Sequence, residues 1–478
     1  MNTRIRTAVA TAGCAALLAV LPTGCSDGGG HGTDGNGDGD NNASAIRPPT
    51  KGAPSETPSP DDFNGDGYAD FATVTHERLG VVYGGPKGLD PRVRSTARLA
   101  DGDIPPELLR GDLDDDGYTD LLASYANRSA TYYRGGPRGL ETSPTGLRLP
   151  DVPPASSVGA PSVQPAALGD FDRDGDIDVF ELGGDTGPAA TVHNGPFRDG
   201  EPHDSKNFGT RRPGGEDSTG YRAEAGDFDG DGYTDVYAWF LWTDPESEGD
   251  RDLTPKGVQA YRGGPHGLTP ARTYDDPQKA PDPDRVGDFD GDGTDEIWNA
   301  AWTRGFPEGT APEGDDTPDW EKLRPGLSVG SNERNGAFLY PVPRIPAESP
   351  IAGGSTGRSL GDVDGDGRPD AVLGSRDVRD AQGAIFLIRK AAEPKLANVR
   401  TVICQDLGIP AKELTDHSRQ RLSPADDLRD YDGDGHDDVL ATVNGRPSAY
   451  WWIPGGDDGL EPRRAVRLGQ HELGLDDT

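Results

Sequence analysis

Seven copies of one nine-residue acidic stretch constrain this chain more than any other feature. Asp227-Phe-Asp-Gly-Asp-Gly-Tyr-Thr-Asp235 places carboxylates at positions one, three, five and nine, and glycine at six. Four like charges in so short a stretch repel unless a cation holds them. Hard oxygen donors at alternate positions suit Ca²⁺, and the glycine permits the sharp turn that folds them around it. Tyr233, at position seven, is expected to add its backbone carbonyl.

The remaining copies supply parallel candidate ligand sets. They are Asp62, Asn64, Asp66 and Asp70; Asp112, Asp114, Asp116 and Asp120; and Asp170, Asp172, Asp174 and Asp178. The set above, Asp227, Asp229, Asp231 and Asp235, is fourth. Asp288, Asp290, Asp292 and Glu296 come next, then Asp362, Asp364, Asp366 and Asp370, and last Asp430, Asp432, Asp434 and Asp438. Successive copies start 50 to 74 residues apart, a period that indicates a repeat architecture. Up to seven calcium ions are therefore expected as cofactors.

The loop is not an EF-hand. That motif needs a carboxylate at position twelve and a helix on each side. Only Glu181 of the seven position-twelve residues is acidic. Each loop runs instead into a short stretch of β-formers, such as Asp70-Phe-Ala-Thr-Val74 or Asp178-Val-Phe-Glu-Leu182, ending at polar or glycine-rich breaks. These read as buried strands, so the loop is a turn between two strands. A solvated Asp/Gly turn without metal is the competing reading.

Gly-Asp-Phe-Asp-Gly-Asp-Gly-Tyr-Thr-Asp followed by a β-run resembles the FG-GAP/VCBS repeat of integrin-α-like β-propellers. Tyr83-Gly-Gly-Pro-Lys-Gly-Leu89, Tyr133-Arg-Gly-Gly-Pro-Arg-Gly-Leu140 and Tyr261-Arg-Gly-Gly-Pro-His-Gly-Leu268 carry the same resemblance. It departs at Asn64, at Glu296, and in units five and six, which lack a clear Gly-Gly-Pro turn. The resemblance implies an all-β, seven-bladed propeller of four-stranded blades over residues 62–478. Radial packing lets seven sheets bury faces that one blade could not.

The formal net charge of −36 argues against nucleic acid, whose binding needs a basic face. The amino terminus reads as an export signal. Arg4 and Arg6 precede an apolar stretch from Ala8 to Leu21 that is short for a membrane span, and Thr23-Gly24-Cys25 resembles the end of a bacterial lipobox. Pro22 stands where that box has Leu. Cys25 is the expected lipidation site and membrane link of a cell-surface protein; plain secretion is the alternative. Residues 26–61 are Gly, Asp, Asn, Ser and Pro with few apolar side chains, and are expected to form a flexible tether. Cys404 is the one cysteine beyond Cys25, so no internal disulfide forms in a chain cut there, and a buried inert thiol is expected.

In propellers of this kind the acidic turns lie at one end of the blades. Connections between second and third strands, and between fourth and next first strands, lie at the other. Three are long: Thr243–Lys256, Thr303–Asn335 and Ile409–Ala425. Long loops on a rigid scaffold are where function concentrates. Trp242 and Trp320 are candidate anchors there for a protein or glycan partner. Trp239 and Trp302 are expected to pack between blades, and Trp451 and Trp452 to point to opposite sides of one strand. Gly353-Gly-Ser-Thr-Gly357 fits a nucleophile-elbow pattern, but a calcium loop stands where a helix is required, so the match is read as chance. The expected function is a non-catalytic, calcium-binding extracellular propeller. The alternative is an exported polysaccharide- or ester-cleaving enzyme on the same scaffold.

Overall fold

The computed structural model describes residues 46–55, 59–75, 77–99, 107–125, 130–149, 164–183, 187–213, 215, 218–243, 253–274, 285–289, 291–304, 323–330, 337–341, 358–378, 382–391, 399–409, 421–425, 427–443 and 449–475, some strand ends by backbone alone. The signal segment with Cys25, the tether before residue 46, Asp290, Trp320 and the Gly353–Gly357 motif lie outside the described residues. So do the side chains of Trp242 and Trp302.

Among the described residues, regular structure is antiparallel sheet except a short 3-10 turn at Pro462–Arg464 and one helical turn at Gln470–Leu473. Blade one has strands Phe71–Val74, Arg78–Val82 and Arg94–Arg98. Blade two has Glu107–Gly111, Asp120–Ser124, Ala130–Tyr133 and Thr145–Gly146. Blade three has Gln164–Gly169, Asp178–Leu182, Ala190–Asn194 and Asp204–Asn207. Blade four has Ser218–Gly226, Asp235–Thr243, Leu253–Arg262 and Thr269–Tyr274. Blade five has Arg285–Gly287, Glu296–Arg304, Leu323–Gly330 and Ala337–Pro341. Blade six has Arg358–Gly361, Asp370–Val378, Gln382–Ile388 and Val399–Ile403. Blade seven has Arg421–Pro424, Val439–Val443, Ala449–Ile453 and Val466–Gly469. Each blade pairs its strands in chain order. Ser375↔Leu422 and Arg376↔Arg421 pairing also joins blades six and seven into one eight-stranded sheet.

The ring closes. Core clusters lie between neighbouring blades rather than within one. Phe63, Val81 and Tyr83 meet Leu121 and Tyr133 between blades one and two, and Phe180 and Leu182 meet Val236 and Phe240 between three and four. Between the last blade and the first, Tyr431, Leu440, Trp452 and Leu473 pack on Phe71, Val82 and Leu89. Period-two alternation does this: Trp451 faces the blade-six side and Trp452 the blade-one side, as expected. Trp239 is buried between blades four and five, also as expected. Cys404 is a buried free thiol, pushed up to about 11 by burial, which fits an inert group.

Two sequence expectations need correction. The long connections are shorter than expected, because Leu253–Lys256, Leu323–Gly330 and Arg421–Pro424 are strand. Part of the expected tether is also bound. Arg47 bridges Val93, Ala53 N–H donates to Gly65 O (2.9 Å), and Ser55 N–H donates to Gly117 O (2.8 Å). A Cβ on Gly52 would lie 2.1 Å from the Gly65 carbonyl carbon, so glycine is what allows this approach. Residues 47–55 therefore form a strap across the first two acidic loops. Composition suggested a free chain because this contact is made by backbone, not by apolar side chains.

Candidate metal centres in the blade turns

Each acidic loop joins the first and second strands of its blade, or stands directly before Phe71 in blade one. The turn is wound on its position-one carboxylate. Asp227 Oδ1 accepts N–H bonds from Gly230 (2.9 Å) and Asp231 (3.1 Å), and Oδ2 accepts one from Gly232 (2.8 Å). Asp62, Asp288 and Asp430 repeat all three bonds. Position six needs a left-handed backbone, with φ of +84° at Gly232 and +99° at Gly175, which explains its glycine.

The position-two residue is the plug of each loop. Phe63, Leu113, Phe171, Phe228, Phe289, Val363 and Tyr431 are all at most 2% exposed. Its carbonyl locks the next blade. Gly136 N–H donates to Phe63 O (3.0 Å), Gly264 N–H to Phe171 O (3.0 Å), Gly456 N–H to Val363 O (3.1 Å) and Gly85 N–H to Tyr431 O (3.0 Å). The Gly-Gly turn of one blade thus latches onto the acidic loop of the blade before it. In blade three, whose turn is Gly195 followed by a cis Pro196, Phe197 N–H reaches Leu113 O (2.6 Å) instead.

Position nine does more than offer a ligand. Asp120 accepts N–H bonds from Leu113 (3.0 Å) and Gly135 (2.8 Å), one per oxygen. Asp70, Asp178 and Asp438 repeat this pair. Burial raises Asp120 to about 8 and Asp178, Asp235, Asp370 and Asp438 to about 7, against backbone hydrogen bonds that lower them. Groups raised this far keep much of their proton at neutral pH, and a cation beside them favours the ionised form.

Five loops bring three carboxylates within 4.8 Å of one another: Asp112, Asp114 and Asp120; Asp170, Asp172 and Asp174; Asp227, Asp229 and Asp235; Asp362, Asp364 and Asp370; and Asp430, Asp432 and Asp438. The donor chemistry fits a hard divalent cation. Unpartnered oxygens support the fit. Asp114 Oδ1, Asp364 Oδ1, Asp370 Oδ2 and Asp432 Oδ1 are buried with no hydrogen-bond partner. Asp364 is 5% exposed and Asp370 fully buried, so water does not solvate them. Of the position-five residues, Asp174 joins its group. Asp116, Asp231, Asp366 and Asp434 stand outside and are exposed. Asp116, Asp231 and Asp434 accept the position-seven N–H at 3.0 to 3.1 Å.

Loop one differs. Asp62, Asp66 and Asp70 do not form such a group among the described residues. The Asn64 side-chain amide donates to Thr50 O and to Asp66 Oδ2, each at 3.2 Å, where the other loops have a carboxylate. In loop five, Asp288, Asp292 and Glu296 are described, and Glu296 accepts the Phe289 N–H (2.9 Å).

Sequence reasoning missed the arginines. Arg134 lies 3.1 Å from Asp114 Oδ2 and Arg262 2.8 Å from Asp229 Oδ2, and Arg389 pairs with Asp364 Oδ2. For Arg134 and Arg262 the signal was present in the repeated Tyr-Arg-Gly-Gly. One polar chain stands apart from the loops: Glu181 Oε2 to His193 Nε2 (2.8 Å), then His193 Nδ1 to Ser205 Oγ (2.8 Å). The imidazole is fully buried, so the chain clamps three strands and presents no exposed base. Glu181, the lone acidic position-twelve residue, is committed to it.

A family model described as the FG-GAP-like repeat matches residues 112–181, the span from the second acidic loop to the strand after the third. No curated protein matches. Among solved structures, a rhamnogalacturonan lyase from Bacillus licheniformis is 13% identical, with 85% of this chain and 80% of that chain covered and a TM-score of 0.32. A likeness that slight carries no statement about activity.

Proposed function

We propose that this protein is a calcium-stabilised, non-catalytic binding scaffold displayed outside the cell and anchored through lipid on Cys25. The observation that carries the reading is the repeated convergence of buried carboxylates, some with unpartnered oxygens, in turns that also latch each blade to its neighbour. A cation bound there neutralises the cluster and stiffens one end of the ring. Binding to the folded state stabilises it by RT ln(1 + [L]/Kd) per site.

The other end is left for a partner. In blades four and five the second strand ends and the third begins at the end of the ring away from the acidic turns, and the sequence between them is 244–252 and 305–322. Trp242, the penultimate residue of its strand, and Trp320 within the second segment are the proposed anchors for a protein or glycan. The test is a glycan and cell-surface-protein array probed in calcium and in chelator, with deletion of 305–322 as control. Binding lost on deletion supports the reading. Cleavage of polysaccharide or ester substrates, instead of retention, would replace it with the enzymatic one. Radiolabelled lipid incorporation that fails to depend on Cys25 would remove the anchor.

A further inference from the structure

Four loops converge their carboxylates at positions one, three and nine, while loop three converges Asp170, Asp172 and Asp174 at positions one, three and five, and the five also differ in their electrostatic environment. In blades two, four, six and seven a guanidinium sits on the position-three carboxylate. Arg134 meets Asp114 (3.1 Å), Arg262 meets Asp229 (2.8 Å), Arg389 meets Asp364, and Arg464 meets Asp432 (3.3 Å). In every case the contact is to Oδ2. In three of the four, Oδ1 is left buried and unpartnered: Asp114, Asp364 and Asp432. The carboxylate is therefore divided, one oxygen on the arginine and the other free for a ligand. Asp364, 5% exposed, is the most enclosed example.

Arg134, Arg262 and Arg389 occupy one structural place. Each directly precedes the residue whose N–H bonds the position-nine carboxylate: Gly135 on Asp120, Gly263 on Asp235 and Lys390 on Asp370. Blade three holds Asn194 there, before Gly195 on Asp178. The Asn194 amide donates to Asp204 and so turns away from the loop. Nearby Arg173 stacks over the Tyr233 ring, 5.5 Å from its centroid. Among the described residues no Lys or Arg pairs with Asp170, Asp172 or Asp174.

We propose that the four arginines are tethered cations that hold their loops closed without metal, and that loop three, which alone of the five convergent groups has no such partner among the described residues, is the one of the five that depends on metal to stay closed. This rests on the cation reading above. The physics sets both signs. A guanidinium offsets one negative charge in the empty cluster, so the empty loop stays folded. The same charge repels an incoming divalent cation, weakening its binding by about tenfold. Of the five convergent loops, loop three therefore binds calcium most tightly and opens most when stripped.

Hydrogen exchange read by mass spectrometry on the full chain, in calcium and in excess chelator, tests this. Amides of 170–182 are expected to exchange about tenfold faster or more without metal. Those of loops two, four, six and seven should change much less. Arg262→Gln should make loop four open on chelation and tighten its calcium binding, while Asn194→Arg should do the reverse to loop three. Calcium bound but equal deprotection of all loops, or no effect of either substitution, overturns the proposal and leaves the cation reading standing. No bound calcium and no calcium effect on exchange anywhere overturns both.

Discussion

Asp61 and Arg429, 368 residues apart in sequence, form an ion pair across the seam where blade seven meets blade one. Both occupy the place directly before an acidic loop. Blades two to six have glycine there: Gly111, Gly169, Gly226, Gly287 and Gly361. That glycine matters where blades press together, since a Cβ on Gly361 would lie 2.5 Å from the Asp437 carboxylate. At the seam the close approach is replaced by charge. Asp61 also forms an ion pair with Arg110 of blade two, its Oδ1 lying 3.1 Å from Arg110 Nε, so one carboxylate joins three blades.

Removing that carboxylate leaves two arginines facing each other. Asp61→Ala should destabilise the protein by about 2 kcal/mol, less than for a fully buried pair because Arg429 is partly solvated. Adding Arg429→Met should recover part of the loss. Thermal melts of the single and double variants measure this. An unchanged melting temperature in Asp61→Ala would mean that the apolar seam alone closes the ring.

The position-two plugs predict a second, larger effect. Phe171 is fully buried, and its carbonyl holds Gly264 of the next blade. Phe171→Ala should cost about 3–5 kcal/mol from lost burial and a residual cavity. Phe171→Leu should cost clearly less, as blade two already uses Leu113 at this position. Urea unfolding of both variants gives the comparison.

The pH dependence arises from the raised position-nine carboxylates. Asp120, near 8, and Asp178, Asp235, Asp370 and Asp438, near 7, hold their protons more tightly folded than unfolded, chiefly because they are buried. Their contribution to stability is present in full below the unfolded value near 4 and is lost as pH rises through 7 to 8. The metal-free protein should therefore melt at least about 5 °C higher at pH 5 than at pH 8. Saturating calcium should abolish that fall. Melts across pH 5–8, with and without chelator, check the sign.

The strap offers a local test. Gly52→Val places side-chain atoms on the backbone of Gly65 and should release residues 47–55 from loops one and two. Ala53 and Ser55 should lose amide protection, with a global cost of about 1 kcal/mol. Retained protection would show that the segment tolerates a side chain at its tightest point.

Local pattern told most of the fold. Oxygen donors at alternate positions, a glycine at six and a β-run afterwards located every acidic turn, because those signals sit within nine residues. The second role of position nine was hidden. Asp120 and Gly135 meet only because the third strand returns beside the first turn, which no local spacing encodes. Arg134 and Arg262 were visible in a repeated motif, yet their charge had no assigned target until the turns were side by side. The strap escaped notice for a different reason: it is held by backbone hydrogen bonds, and its Pro- and Gly-rich composition resembles that of a free linker. Asn64 stood in the candidate ligand set as a departure from the repeat; what the sequence did not reveal is that its amide donates a hydrogen bond to Asp66 where a carboxylate can only accept one.

Bound calcium, counted by elemental analysis of the folded full-length chain and paired with a melt in chelator, is the most direct check. The account predicts at least the five ions that the convergent carboxylate groups can hold, and a clear drop in melting temperature when they are stripped. A folded protein with no bound divalent ion, melting identically in calcium and in chelator, would contradict it.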